Sequence, residues 1–196
     1  MNMEAWVLKN CKFASKEAEM EKFFEKRTKN HISLVGKAIA KIVAALPEFS
    51  ELSERAAKHD ESKFSEPEHS AYLWITWKHK CEKDGDAFEC PEGMKDKMND
   101  ATLHHFINNR HHPEFHLEDP SEAKIDPKDR DKSKKCVDAS KMPPLDIAEM
   151  VADWQAMSEE LGKNTARQWY DKQKNVRWKF SPKQDELIDR LLSVFD

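Results

Sequence analysis

The sequence predicts an all-α fold, a single compact helical bundle, and three observations carry that prediction. Apolar residues recur at i, i+3 and i+4 in successive segments, which is the spacing of one helix face and not the alternation of a strand. Only four glycines occur in 196 residues, too few for the positive-φ turns that an all-β protein needs in its hairpins. Prolines and capping residues fall where such helices would begin or end. The length suits one domain with a core and a pocket, spanning residues 1–196. No internal repeat and no convincing strand stands out.

The first helix is expected over residues 16–46, which contain no Pro and one Gly. His31, Leu34, Val35, Ala38, Ile39, Ile42 and Leu46 form its inward face, and Pro47 closes it. A second helix, over 50–64, is capped by Ser50 or Ser53 and carries Leu52, Ala56 and His59 on one stripe. It ends in His59-Asp60-Glu61-Ser62-Lys63-Phe64. Ser65-Glu66-Pro67-Glu68 reads as the start of a third helix, with Ser65 as its N-cap, and Tyr72, Trp74, Ile75 and Trp77 follow. That helix fades near Cys81, and a loop runs from Gly85 to Gly93.

A fourth helix, over 94–112, presents Met98, Ala101, His105, Asn108 and His112, and Pro113 ends it. Residues 117–143 are rich in Asp, Lys, Ser and Pro and read as a charged excursion without a core of its own, either a lid or a mobile segment. Its balanced charges suit solvation better than RNA contact. The fifth helix, 144–161, stops at Gly162 and aligns Leu145, Ala148, Glu149, Ala152, Asp153 and Ala156. A sixth covers 165–173, and the last starts at Ser181-Pro182 and runs to about Phe195.

Composition narrows the function. Six Trp and ten Phe are out of place in a solvated tail. A net charge of -4 leaves no large basic surface for a nucleic-acid backbone, which argues against dedicated nucleic-acid binding. No apolar run of about 18 residues indicates a membrane span, and the N-terminus lacks the pattern of a signal peptide, so a cytoplasmic location is expected. The cysteines, Cys11, Cys81, Cys90 and Cys136, lack CxxC spacing and read as reduced thiols. Cys81 and Cys90 with His79 could form part of a zinc site, although no fourth ligand is evident.

Polar groups on core-facing stripes are the informative feature. His31 lies on an apolar face, His59 precedes Asp60, and Asp153 faces inward one turn from Glu149. His104, His105, His111 and His112 cluster on and beyond the fourth helix. Buried carboxylates are costly unless compensated, and a divalent metal would compensate these. Imidazole together with carboxylate suits Zn, Mn, Fe, Ni or Co better than Ca or Mg.

A lone His, then His-Asp, then a distant Asp, in that order, resembles the HD superfamily of all-helical metal-dependent phosphohydrolases. The resemblance implies His31, His59, Asp60 and Asp153 as metal ligands. The chain is also similar to a poorly characterised family of bacterial and phage proteins with the motifs HDxSKF, NxHHPE and EMxxDW. Here they read His59 to Phe64, Asn109-Arg110-His111-His112-Pro113-Glu114 and Glu149-Met150-Val151-Ala152-Asp153-Trp154. The similarity spans about residues 30–160. It departs from the HDxxE pattern of HD nucleotidases, because Lys63 stands where the acidic residue would be.

The activity implied is metal-assisted hydrolysis of a nucleotide or another small phosphoester. Lys63 and Arg110 would stabilise charge on the phosphate, and His111 or His112 would protonate the leaving oxygen. The general base would be Glu68, Glu149 or water activated on the ion, with Glu149 alternatively holding a ligand histidine. Tyr72, Trp74 and Trp77 either stack a base or fill the core; Trp154 reads as core. His104, His105 and His116 otherwise cap or solvate. Two other readings stand beside this one. His105 with His112 could supply a second ion, as in di-iron oxygenases of the HD type. Alternatively, a non-enzymatic phage or bacterial interaction protein would keep a closed structural metal. Homo-oligomerisation is compatible with each.

Overall fold

The computed structural model of the chain describes residues 3–123 and 136–196, with side chains from residue 16 onward except that of residue 121. It is all-α, as expected. The helices are α1 (Met3–Ala45), α2 (Leu52–Arg55), α3 (His69–Asp84), α4 (Met94–Asn108), α5 (Pro144–Leu161), α6 (Ala166–Gln173) and α7 (Pro182–Leu192). Two short strands, β1 (Val137–Asp138) and β2 (Trp178–Lys179), pair in parallel with Val137 opposite Trp178.

The long α1 organises the molecule. Its buried face runs Met20, Phe24, Thr28, His31, Val35, Ala38, Ile39 and Ile42, at steps of three and four that hold one side of a helix. The N-terminal half of this face packs on α3 and α4, with Met20 among Trp74, Trp77, Cys81 and Met98 and Phe24 among Ala71, Tyr72 and Ala101. The C-terminal half packs on α5 and α7, with Val35, Ile39 and Ile42 among Ile147, Val151, Ile188 and Leu191. His31 therefore sits on α1 between two apolar cores.

Several elements differ from expectation. The second helix is not continuous: α2 gives way to 3-10 turns at Ala56–Lys58 and Glu61–Phe64, with no side-chain cap from Ser50 or Ser53 at its start. At the break His59 is extended in ψ (130°) and Asp60 takes a left-handed backbone (φ 59°), a region that aspartate tolerates better than most residues. The third helix begins at His69, after a turn in which the amides of Glu68 and His69 both donate to Ser65 O. It passes Cys81 and ends at Asp84, where Gly85 supplies φ 78°.

The fourth helix ends at Asn108, four residues short of His112. Asn109 is extended, and its side chain donates to the His105 carbonyl at the helix end. His112 precedes Pro113 and is pushed extended too. His105 and His112 thus do not share a helix face, although their rings still meet at 4.9 Å between centroids. The fifth helix has the expected bounds and closes on Gly162 at φ 62°.

Of the charged excursion at 117–143, residues 124–135 lie outside the described residues, and so does most of its charged run. Its far end does join the core: Val137, Ala139 and Met142 are buried, and β1 pairs with β2. Strand pairing was missed because two residues leave no alternation to read. The cysteine proposal fails as well. Cys81 packs among apolar side chains, and among the described residues no cluster of metal-ligating groups contains a cysteine.

Candidate metal centre

Asp60 is the geometric centre of the site. It is 1% exposed, and its two oxygens face different groups. Oδ2 lies 3.5 Å from His31 Nε2, 3.8 Å from His59 Nε2 and 2.5 Å from Lys63 Nζ. Oδ1 lies 3.1 Å from His105 Nε2 and 3.7 Å from His111 Nε2. Asp153 completes the first side, with Oδ1 3.0 Å from His31 Nε2 and 3.8 Å from His59 Nε2. On the second side, His105, His111 and His112 offer nitrogens within 4.8 Å of one another.

The local breaks produce this arrangement. Adjacent residues on a helix point about 100° apart, whereas the left-handed Asp60 turns its carboxylate back beneath His59. Termination of α4 at Asn108 likewise frees His111 to return toward Asp60, with its ring 4.3 Å from that of His59.

A carboxylate stands behind three of the imidazoles. His59 donates Nδ1–H to Glu149 at 3.1 Å, His105 donates Nδ1–H to Glu68 at 2.8 Å, and His31 Nδ1 faces Glu160 at 3.5 Å. For His59 and His105 the hydrogen-bonded carboxylate fixes the tautomer that leaves Nε2 free. Glu68 also holds His104 and Ser62, and Arg27 anchors Glu160 at 2.6 Å.

The donor set fits a metal on independent grounds. His59 Nε2, Asp60 Oδ1 and His112 Nε2 are buried atoms with no hydrogen-bond partner, an arrangement that natural interiors avoid unless something else meets the atom. Burial opposes charge on His59, yet the Asp60 charge, the nearby Asp153 carboxylate and the bond to Glu149 carry its pKa up to about 10. His31 is raised for the same reason: burial is outweighed by Asp153 and Glu160. Burial would raise Asp60 and Asp153, but cationic neighbours hold both well below the usual carboxylate range. The carboxylates are thus held anionic. Burial and neighbouring imidazoles push His111 and His112 well down, so both are neutral.

Of the four expected ligands, His31, His59 and Asp153 offer atoms within 4.8 Å of one another, and Asp60 Oδ2 lies 3.5 Å from His31 and 3.8 Å from His59. Lys63 reaches the centre, with Nζ over the Tyr72 ring at 5.0 Å. Glu68 and Glu149, expected as bases, instead hold imidazoles. His111 is buried with Nε2 3.7 Å from Asp60 Oδ1, and burial keeps its imidazole neutral. Arg110 is turned away from the cavity: it pairs with Asp146 at 3.1 Å, beside Arg55 and His116. His105, expected to solvate or to serve only a second ion, is 2% exposed, hydrogen-bonded to Glu68, and has Nε2 3.1 Å from Asp60 Oδ1. Glu160 was missed, although it lies two turns beyond Asp153 on the same stripe of α5.

The centre opens into a cavity of about 550 Å³. Asp60, Asp153 and His105 stand in its wall, with the cations Arg27, Lys63, Lys78, Lys163 and Arg177 and the rings of Phe106, Trp154 and Trp169. Trp74 and Trp77 lie in the core and not in this wall. Among the described residues no helix is long and apolar enough to cross a membrane.

Fold and site together define an all-α protein with histidine–carboxylate groups able to hold metal. The chain belongs to the Family of unknown function (DUF5662), whose model it matches over residues 20–194. No curated protein and no solved structure matches it.

Proposed function

We propose that the protein is an HD-type, metal-dependent phosphoester hydrolase that uses two divalent transition-metal ions sharing Asp60 and acts on a nucleotide or another small phosphoester. The observation that carries this reading is the division of Asp60, with Oδ2 toward His31 and His59 and Oδ1 toward His105 and His111. One carboxylate facing two imidazole pairs is the arrangement of a bridging ligand. His31, His59, Asp60 and Asp153 would hold one ion, and Asp60, His105, His111 and His112 the other. Mn, Co, Zn, Ni and Fe all suit these donors.

Bound ions would supply Lewis acidity toward a phosphoryl oxygen and a water of lowered pKa. The chain's own groups bind and orient. Lys63, held between Asp60 and the Tyr72 ring, stands where it can meet a phosphate oxygen. Glu68, Glu149 and Glu160 keep the imidazoles aimed inward, so none of them is left to act as base. His112, neutral and with Nε2 unpartnered, would serve the second ion, so no imidazole is assigned to the leaving oxygen. The cations in the cavity wall favour an anionic substrate.

Elemental mass spectrometry on wild type and Asp60→Ala, followed by phosphate release from nucleotides and small phosphoesters, tests the reading. About two ions per chain are expected in wild type, with metal and phosphate release both lost in the variant. Absence of metal after reconstitution with each of the five ions would sink it. The shared carboxylate equally favours a di-iron oxygenase, and two irons per chain without hydrolysis would select that second reading. The open cavity beside the centre speaks against a closed structural metal.

A further inference from the structure

Arg177 lies in the cavity wall on β2's N-terminal side, is 6% exposed and has a buried Nε with no hydrogen-bond partner. Its charge is met by Glu114, which is 1% exposed and accepts one guanidinium N–H at 3.3 Å while also accepting the Trp178 indole N–H at 3.3 Å. The guanidinium is stacked, 4.3 Å from the Trp178 ring centroid and 5.3 Å from that of Phe106. The backbone is fixed too: the Val137 amide donates to the Arg177 carbonyl, and left-handed Asn175 makes the turn before it.

A buried Arg–Glu pair does little for stability by itself. A planar fork whose orientation is set by stacking and by one carboxylate is, however, preorganised to take a second planar or tetrahedral anion through its remaining N–H groups. Its place in the cavity defines which anion. The Phe106 ring is 4.6 Å from His112 and 6.3 Å from His105, so it stands between Arg177 and the imidazoles at the centre. A phosphoryl group at the metal centre is served by Lys63, and Arg177 is left for a different part of the substrate.

We propose that Arg177, held by Glu114, is a specificity residue that binds a second anionic group, a carboxylate or phosphate remote from the reacting phosphoester. This inference rests on the phosphoester reading above. It implies that the substrate carries two anionic groups, one at the centre and one on the Arg177 side of Phe106.

The test uses metal-loaded protein and two probes of equal length, butylphosphonate with one anionic group and 4-phosphonobutyrate with two, titrated by tryptophan fluorescence. Wild type is expected to favour 4-phosphonobutyrate by about tenfold or more, the scale of a charge-assisted hydrogen-bonded pair. Arg177→Met should lose that preference while its butylphosphonate affinity and metal content stay at wild-type values. Arg177→Lys, which keeps the charge without the fork, should retain a small part of it and serves if the Met variant does not fold. Equal affinity of wild type for both probes, or an undiminished preference in a metal-loaded variant, would overturn the assignment alone. Wild type that holds its metals and binds neither probe would overturn it together with the phosphoester reading.

Discussion

At the residue scale the centre depends on what stands behind each ligand as much as on the ligands. Glu68 is fully buried, and its oxygens accept from His104, His105 and Ser62, so Glu68→Gln changes the tautomer preference of His105 without changing shape. Such partners are worth about 10- to 100-fold in metal affinity. Glu68→Gln should therefore weaken the ion on the His105 side by that factor and leave the His31 side near its wild-type affinity. Chelator competition resolved into two steps would measure this, and equal weakening of both steps would count against two distinct sites. His31, His59 and Asp153 stood out in the sequence because a polar residue on an apolar stripe is anomalous, and Asp60 was reached through the His-Asp pair that resembles the HD superfamily. Arg177 was not, since its surroundings come from Phe106, Glu114 and Trp178 in three separate segments.

At the element scale, helical periodicity located the long, regular elements and missed the irregular ones. α5 has its expected bounds because Pro144 and Gly162 punctuate a continuous stripe. The segment at 50–64 has the same kind of stripe, but the chain breaks at His59 and Asp60, where the left-handed backbone of Asp60 interrupts it. The C-terminal elements are joined by a polar contact: Tyr170 on α6 donates to Asp185 on α7 at 2.6 Å, and Lys174 also pairs with Asp185 at 2.9 Å. Burial and the Asp185 carboxylate raise the Tyr170 pKa above its ordinary value. A group raised in the folded state contributes its full stability below the unfolded value, about pH 10 for tyrosine, and loses it as pH rises further. Tyr170→Phe should cost about 1 kcal/mol at pH 8, and the difference from wild type should shrink above pH 10. Denaturant unfolding at pH 8 and pH 11 measures it, and a pH-independent difference would contradict the assignment.

At the scale of the whole molecule, the centre lies where two apolar cores meet along α1. One core joins α1 to α3 and α4, the other joins α1 to α5 and α7. Across the junction run the polar contacts of His31 on α1, Asp60 after α2, His105 on α4 and Asp153 on α5. Without metal, a carboxylate-rich cluster must be balanced by protonated His59 and by Lys63, and buried atoms stay unpartnered. An ion that binds only the folded state adds stability by mass action, about 2.7 kcal/mol when free metal is one hundred times its dissociation constant. For a chain of this size each kcal/mol moves the midpoint by roughly 2–4 °C. Stripping with a chelator should therefore lower the melting temperature by about 5–10 °C, and metal should restore it. In Asp60→Asn, which keeps the volume but removes the shared charge, the melting temperature should no longer respond to chelator or metal. A variant that still gained several degrees on metal addition would place the stabilising ion away from Asp60, the carboxylate whose two oxygens face His31 and His105 from the two sides of the junction.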